Sequence, residues 1–244
     1  MIKINNLTKK YKDKLAVDNL NLEIKTGELF SLLGTNGAGK TTTIKMLSTL
    51  ILPTSGEVEI NNLDLVKDSS KIKEIINISP QETAVASNLT VLENLYFMAG
   101  IYQIPNKKDK IKELIKLFKL EEVLKQKAKT LSGGYQRKLS IAISLINNPK
   151  ILFLDEPTLG LDVISRHDLW KVIEALKGKT TIILTTHYME EAEVLSDRIG
   201  IMNKGKLIEL GTSKELIKKA KTKNFEDAFI KIIEEDNNEN TNIC

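Results

Sequence analysis

The chain has 244 residues, of which 41% are hydrophobic, and its 36 basic and 32 acidic side chains give a formal charge of +4. This composition excludes a mainly disordered chain and predicts a soluble protein with one large domain or two small ones. The small charge and the 5% share of aromatic residues argue against nucleic-acid binding.

The predicted elements alternate along the chain between strands and helices. Apolar alternation and turn residues predict strands through the first third, interrupted by one helix at about 40–50. Apolar residues at helical spacing among Lys and Glu then predict a mostly helical insert at about 89–148. Strands return at 151–154 and 181–184, with a helix at about 165–176 between them, which is typical of a parallel sheet.

The last part of the chain is predicted to close the fold. Strands at about 199–202 and 206–208 flank a hairpin turn at 203–205. Helical spacing of aromatic and aliphatic residues predicts a C-terminal helix at about 224–235. The Asn-rich stretch 236–244 is expected to be a flexible tail.

Residues 34–41 read GTNGAGKT, a full G-x-x-x-x-G-K-[ST] motif between an apolar strand and a helix. In such a phosphate loop, glycines turn backbone N–H groups inward, and the helix N-terminus adds positive partial charge. A chance glycine-rich turn is the alternative, which the flanking strand and helix disfavour. Lys40 is expected to reach the β- and γ-phosphates, and the Thr41 hydroxyl to ligate Mg²⁺. The predicted nucleotide-binding residues of this segment are Gly34, Thr35, Asn36, Gly37, Ala38, Gly39, Lys40, Thr41 and Thr42.

A second motif places two carboxylates at the end of a predicted buried strand. Four apolar residues at 151–154 precede Asp155 and Glu156. Ligand sites of parallel α/β sheets form at such strand ends. Asp155 suits a Mg²⁺ ligand, and Glu156 suits the base that orients an attacking water. On its own, an apolar strand that ends in two acids has a purely structural role about as often as a catalytic one. With the phosphate loop upstream, the pattern predicts a nucleoside triphosphatase.

Residues 131–138 read LSGGYQRK and precede a predicted helical run. A Ser-Gly-Gly sequence at a helix start is by itself a good anion site. With the two motifs above in this order, the sequence resembles the nucleotide-binding subunit of ATP-binding cassette (ABC) transporters, whose signature is LSGG. The resemblance covers about residues 2–233.

The resemblance implies an α/β fold of the P-loop NTPase class. A RecA-like parallel sheet core with an N-terminal antiparallel β subdomain would occupy about 1–85 and 149–215, and an inserted α-helical subdomain about 86–148. Together with the C-terminal helix, these parts would make one ABC ATPase domain over residues 1–235.

The resemblance also assigns roles to single residues of the ATP site. Tyr11 stands where the family stacks an aromatic ring on adenine, although an ordinary half-buried strand tyrosine is the alternative. Gln81 resembles the glutamine that joins the Mg²⁺ and water site to the helical insert, although an exposed loop glutamine would look the same. His187 resembles the histidine that contacts the γ-phosphate and supports Glu156. The other histidine, His167, is expected on the surface.

Further residues of the family pattern face a second subunit. Ser132, Gly133 and Gly134 would contact the ATP bound by the partner, and Asp162 would lie in the loop beside the partner's site. Thr35 stands where proline is usual, which loosens the loop but keeps its N–H groups. Tyr135 stands where glutamine is frequent, which puts any contact of that side chain in doubt.

The implied cofactors are ATP and Mg²⁺, and the implied partners are a second ATPase subunit and a membrane permease. In the resembled family each ATP lies between the phosphate loop of one subunit and the signature of the other, and this chain carries one copy of each. Hydrolysis would therefore require a homodimer or pairing with a similar cassette. The permease would dock near Gln81 and residues 83–104, where several apolar side chains could line the docking groove. The alternative is that these side chains belong to the core of the helical insert. Those apolar residues are Leu92, Leu95, Tyr96, Phe97, Met98 and Tyr102.

No stretch reaches the roughly 18 apolar residues that span a bilayer, and residues 1–6 do not begin a signal peptide. We therefore expect the membrane part on another polypeptide and this chain at the cytoplasmic face of the membrane. The one cysteine, Cys244, rules out an intrachain disulfide. The stretches 78–83 and 185–193 resemble the exporter branch that handles drugs, sodium or lipids.

Two other classes of function are weighed against transport. Soluble cassette ATPases that act on ribosomes or DNA usually have two cassettes or a long coiled coil, and this sequence shows one cassette without sustained heptads. A regulatory module that binds ATP without hydrolysis would lack the catalytic carboxylate, whereas Glu156 is present. The basic stretch 214–223 fits a solvated helix face better than a lipid-binding patch.

Overall fold

The computed structural model describes residues 1–241, with side chains as far as residue 238. The strands are β1 (Ile2–Tyr11), β2 (Lys14–Ile24), β3 (Leu29–Gly34), β4 (Ser55–Ile60), β5 (Leu63–Asp64), β6 (Ile76–Ser79), β7 (Ile151–Asp155), β8 (Thr181–Thr186), β9 (Arg198–Asn203) and β10 (Lys206–Gly211). The helices are α1 (Lys40–Leu47), α2 (Ser69–Ile75), α3 (Val91–Ile101), α4 (Lys107–Phe118), α5 (Gly133–Ser144), α6 (Val163–Leu176), α7 (Met189–Leu195), α8 (Ser213–Ala220) and α9 (Phe225–Thr241). Short 3₁₀ turns lie at Glu121–Val123 and Ala128–Thr130.

The larger sheet has six strands in the order β10-β9-β3-β8-β7-β6. Its strands run parallel from β9 to β6, and β10 pairs antiparallel with β9. Every residue of β3, β7 and β8 is buried, which explains why these strands read as apolar runs rather than as alternating patterns. The carboxyl ends of the three strands meet at one edge and bring Gly34, Asp155 and Thr186 together.

The smaller sheet is antiparallel, in the order β2-β1-β4-β5. One face of β1 is buried through Ile2, Ile4 and Leu7, and these residues share a core with Phe30 of the larger sheet. The β1–β2 hairpin therefore covers the strand that leads into the phosphate loop.

The helical insert packs into a second core. Helices α3, α4 and α5 bury apolar residues such as Leu95, Leu114 and Ile141 against Leu152 and Leu154 of β7. Helix α3 begins with a capping box in which the side chains of Thr90 and Glu93 each accept a hydrogen bond from the other's backbone N–H. The apolar spacing that predicts the insert is thus its packing face.

Two predicted helix boundaries are wrong. Helix α1 ends at Leu47 rather than near 50, because Thr49 adopts a φ of 61° and the next two amides bond back to the Lys45 carbonyl. Helix α6 begins at Val163 rather than at 165, because the Asp162 side chain caps it by accepting from the Ser165 N–H at 3.0 Å.

Helix α2 and the C-terminal segment from 236 also differ from the sequence prediction. The short helix α2 was not expected, since its seven residues bury only Ile72 and show little periodicity. The predicted flexible tail from 236 is wrong as far as Thr241, because α9 continues through it. The Asn203 amide donates to Asp236 at 2.7 Å and to Asn237 at 3.2 Å, which holds this end of α9 against β9. Residues 242–244, with Cys244, lie outside the described part.

Among residues 1–241, every helix is too short or too polar to cross a bilayer.

Candidate functional site

The phosphate loop leaves β3 at the sheet edge and turns into α1. Gly39 precedes the helix with a φ of 104°, in the left-handed region that disfavours side chains. A Cβ on Gly39 would also lie 2.5 Å from the Ala16 carbonyl oxygen of β2. Close contact with the β1–β2 hairpin therefore requires glycine here.

A cavity of about 350 Å³ lies over this loop. It brings together the phosphate loop, Gln81 from the segment after β6 and Glu156 from the segment after β7. Its lining residues are Lys14, Ala16, Asn36, Gly37, Ala38, Gly39, Lys40, Thr41, Thr42, Gln81 and Glu156.

The cavity differs from the predicted residue set at one end. Lys14 and Ala16 of β2 line it, although sequence reasoning missed both. Tyr11, at the end of β1, lies outside the lining, with 45% of its surface exposed and the Lys9 ammonium 5.1 Å from its ring centroid. Tyr11 belongs to the same hairpin as Lys14 and Ala16, and the pairing of β1 with β2 decides which residues of that hairpin reach the cavity.

Lys40 is almost fully buried, with 5% of its surface exposed. Its ammonium donates to the carbonyl oxygens of Gly34 at 2.8 Å and Thr35 at 3.1 Å. The ammonium also lies 3.5 Å from a carboxylate oxygen of Glu156. A buried cation is stable only with such partners, so Lys40 is held at the junction of the loop and the end of β7.

Asp155 forms an oxygen-rich group with two threonines. Its Oδ1 accepts hydrogen bonds from the Thr41 hydroxyl at 3.0 Å and from the Thr185 hydroxyl at 2.5 Å. Thr41 lies in the first turn of α1, Asp155 ends β7 and Thr185 lies in β8, so the parallel sheet brings them together. Carboxylate and hydroxyl oxygens are ligands that Mg²⁺ prefers, and this donor set fits that ion.

Glu156 projects from a strained backbone position into the cavity. Its φ is 48°, and its N–H donates to the carbonyl oxygen and hydroxyl of Thr185 at 3.0 and 3.1 Å. One carboxylate oxygen faces Lys40, and the other bonds His187 Nδ1 at 2.5 Å. Glu156 thus lies between a cation and an imidazole in a mostly water-excluded place.

A second buried acid near Glu156 is Glu191. Its Oε1 accepts from the Thr158 hydroxyl at 2.8 Å and from the Trp170 indole N–H at 3.0 Å. The side chain is fully buried, and burial raises the pKa of Glu191 above its usual value. Glu191 therefore joins α7, which follows His187, to the segment after β7 and to α6. Sequence reasoning missed it, because its partners lie far away along the chain.

The predicted partner-facing residues lie apart from the cavity and close to one another. Ser132 caps α5 and is exposed, and its hydroxyl accepts from the Tyr135 N–H at 3.5 Å. A Cβ on Gly134 would meet the Ser165 hydroxyl at 2.8 Å, so the start of α5 packs beside the first turn of α6, which Asp162 caps. We call Ser132, Gly133, Gly134, Asp162, Val163 and Ile164 the signature face. Its apolar members Val163 and Ile164 are 60% and 77% exposed.

Helix α3 divides the predicted docking residues into two groups. Leu95 is buried in the insert core, and Leu92 and Met98 pack against that core. The remaining predicted residues, Tyr96, Phe97 and Tyr102, are exposed, and so is Ile101, which the prediction did not include. These four residues are here called the α3 surface.

Comparisons with known proteins agree with this geometry. The family model described as "ABC transporter" matches residues 17–159. The human phospholipid-transporting ATPase ABCA3 is 44% identical over 218 residues, which cover 87% of this chain and 13% of that protein. The probable multidrug ABC transporter ATP-binding protein YbhF of Escherichia coli (strain K12) is 39% identical over 252 residues, which cover 99% of this chain and 43% of that protein. This chain thus spans less than half the length of either relative, and the names of both fit the exporter branch that the sequence resembles.

Solved structures confirm the predicted fold class. The structure titled "Structure of ATP binding subunit of ABC transporter" has a TM-score of 0.85 and 25% identity, and covers 95% of this chain and 99% of its own. A dimeric post-hydrolysis state of the ATP-binding cassette MJ0796, bound to ADP and Pi, has a TM-score of 0.78 and 31% identity, with 87% and 98% coverage. Together with the family match, these findings show that the chain belongs to the ABC transporter family and contains its ATP-binding, ATP-hydrolysing domain.

Proposed function

We propose that the cavity over the phosphate loop binds Mg-ATP and that Glu156 is the general base for its hydrolysis. The observation that carries the proposal is the convergence of Lys40, Asp155 and Glu156, from two motifs more than a hundred residues apart, on one cavity edge. Lys40 would contact the β- and γ-phosphates, and the loop amides would cradle them. Glu156 would accept a proton from the attacking water, and His187 would hold its carboxylate and contact the γ-phosphate.

Thr41, Asp155 and Gln81 are the residues that would hold Mg²⁺. When bound, the ion supplies charge neutralisation on the phosphate oxygens. Lys14 and Ala16 would lie beside the nucleotide, and Tyr11 would have to move towards the cavity if it stacks on adenine. Thr35, Asn36, Gly37, Ala38, Gly39 and Thr42 complete the proposed binding loop with Gly34 and Lys40.

The base assignment is tested with Glu156→Gln. The amide keeps the size of the side chain but cannot accept the proton, so we expect kcat to fall by roughly 10²- to 10⁴-fold with ATP binding retained. Single-turnover hydrolysis of radiolabelled ATP and equilibrium binding of a fluorescent ATP analogue measure the two effects. Glu156→Asn is a harsher comparison, which also withdraws the side chain from His187. Turnover at the wild-type rate in Glu156→Gln would reject the role.

We further propose that two copies of this cassette close on ATP. The signature face lies apart from the cavity in its own chain, and its exposed Val163 and Ile164 need a partner for burial. In a head-to-tail dimer, Ser132, Gly133 and Gly134 would face the ATP held by the other subunit, with Asp162 beside it. Dimeric solved cassettes of the same fold support this arrangement.

The α3 surface supports a proposal about the membrane partner. We propose that it docks a permease subunit at the cytoplasmic face of the membrane, near Gln81, and that the pair exports a drug-like or lipid substrate. The support is a group of four exposed aromatic or aliphatic side chains on α3 and at its C-cap Tyr102, together with relatives named for phospholipid and multidrug transport. Acting through another chain, the cassette would need no membrane span of its own.

Phe97→Ser tests the docking proposal. We expect it to reduce co-purification of the tagged chain with its permease from detergent-solubilised membranes several-fold, because the most exposed ring of the α3 surface is removed. ATP binding should stay unchanged. Leu50→Ser, which removes an exposed apolar side chain away from α3, is the matched control. Equal recovery of the permease with both variants, or recovery with ribosomes or nucleic acid instead, would contradict docking at α3.

A further inference from the structure

A buried arginine outside the predicted site bridges three of its segments. Arg137 lies in α5 with 4% of its surface exposed. Its Nε donates to the Pro157 carbonyl at 2.7 Å and its Nη2 to the Asp155 carbonyl at 2.8 Å. Its Nη1 donates to the carbonyls of Pro80 at 2.6 Å and Gln81 at 3.2 Å. One guanidinium therefore connects α5 to the end of β7 and to the segment that contains Gln81.

Two of these carbonyls belong to the residues immediately before and after Glu156. Glu156 has a φ of 48°, a left-handed conformation that is unfavourable for a residue with a Cβ and persists only where neighbours impose it. On one side, its N–H is held by Thr185. On the other side, Arg137 holds the flanking carbonyls of Asp155 and Pro157. The direction in which the Glu156 carboxylate leaves the backbone is thus set from both sides.

Burial of the Arg137 guanidinium disfavours its charged form. Burial lowers the pKa of Arg137 to about 10, and the negative charges of Asp155, Glu191 and Glu156 partly offset that effect. Arg137 therefore stays protonated at neutral pH. Lysine would carry the same charge, but its donors radiate from one nitrogen and cannot reach four carbonyls on two separate segments, as a planar guanidinium does.

We propose that Arg137 is a positioning residue for ATP hydrolysis, which fixes the backbone of Glu156 and links it to Gln81 and to α5, the helix that Ser132 caps. The inference rests on the proposed role of Glu156 as the base. Arg137 is not part of the cavity lining, and it reaches the lining residue Gln81 only through the main-chain carbonyl. It acts through main-chain carbonyls alone.

The test compares Arg137→Gln with Arg137→Lys. We expect kcat to fall roughly 10- to 100-fold in both, as is typical when a catalytic group is misplaced by about 1 Å. The dissociation constant for ATP should stay within about threefold, because Lys40 and the phosphate loop are unchanged. Arg198→Gln is the matched control: it removes a partly buried arginine paired with Glu28, on the opposite edge of the sheet, and should lower the melting temperature without lowering kcat.

A double-mutant cycle separates positioning from a general structural role. If Arg137 acts through Glu156, Arg137→Gln should lower turnover little further when Glu156→Gln is already present. An undiminished kcat in a folded Arg137→Gln protein would overturn the inference. So would an equal fractional loss in both backgrounds, or failure of both Arg137 variants to fold by circular dichroism. Wild-type turnover in Glu156→Gln alone would instead reject the base assignment.

Discussion

The cavity and the signature face carry the two halves of the proposed ATP site, yet they differ in almost every physical respect. At the cavity, Lys40, Asp155 and Glu156 are buried and already partnered within the chain. At the signature face, Ser132 is exposed, and the apolar Val163 and Ile164 face solvent. The first half is preorganised by the fold, whereas the second has polar and apolar groups that only another surface can cover. The difference suggests that one chain binds nucleotide and two chains are needed for rapid turnover.

Lys40→Ala should give the largest effect on the cavity half. It removes a buried charged donor, and loss of one or more charge-assisted hydrogen bonds should weaken ATP binding roughly 100-fold or more. Isothermal titration with a non-hydrolysable ATP analogue measures it. Lys14→Ala is the matched control, because this lysine lines the same cavity but is exposed, and its loss should cost about fivefold or less. Tight Mg-ATP binding by Lys40→Ala would contradict the assignment of the cavity.

Glu191→Gln should give the smallest effect, on stability rather than on binding. Burial raises the folded-state pKa of Glu191 above the ordinary glutamate value of 4.5. At pH values between these two pKa values, the folded state keeps a proton that the unfolded state has lost. Its contribution to stability is full below pH 4.5 and is lost as the pH rises through the raised folded value. The glutamine variant keeps an acceptor for Thr158 and Trp170 but has no proton to lose.

The two proteins should therefore diverge as the pH is raised. Urea unfolding at several pH values is expected to show wild type losing stability relative to Glu191→Gln from about pH 4.5 upward. Thr158→Val serves as a control, since it removes one hydrogen bond to Glu191 without removing the titrating group. Parallel stability curves for wild type and Glu191→Gln would show that Glu191 has an ordinary pKa.

The same contrast explains what could be predicted from the sequence. The phosphate loop and the Asp155–Glu156 pair could be located, because their chemistry demands fixed residues at fixed spacing beside a strand. The parallel sheet followed from buried apolar runs. Arg137 and Glu191 could not be assigned, because their partners lie 57 and 33 residues away in the sequence and only tertiary packing brings them close. Lys14 was missed for a related reason, since the pairing of β1 and β2 decides which residues reach the cavity.

The predicted flexible tail shows the limit of composition. An Asn-rich segment has low helix propensity, but α9 continues to Thr241, with Asn203 bonded to Asp236 and Asn237. The apolar residues of α3 show the same limit. Helical spacing predicted the helix, but it could not separate Leu95, which is buried, from Phe97, which is 54% exposed.

The most direct test of the proposed ATP site shared by two chains combines Glu156→Gln with a second substitution, at Ser132 of the signature face. The native mass of each double variant is then measured in Mg-ATP. Ser132→Asn and Ser132→Asp both keep a side chain that caps α5, but only the aspartate brings a negative charge towards a partner's phosphates. By light scattering, we expect the Asn variant to double its mass on addition of ATP. The Asp variant should stay monomeric while binding ATP with unchanged affinity. An Asp variant that dimerises as well as the Asn variant, or an Asn variant that stays monomeric at saturating ATP, would contradict the account.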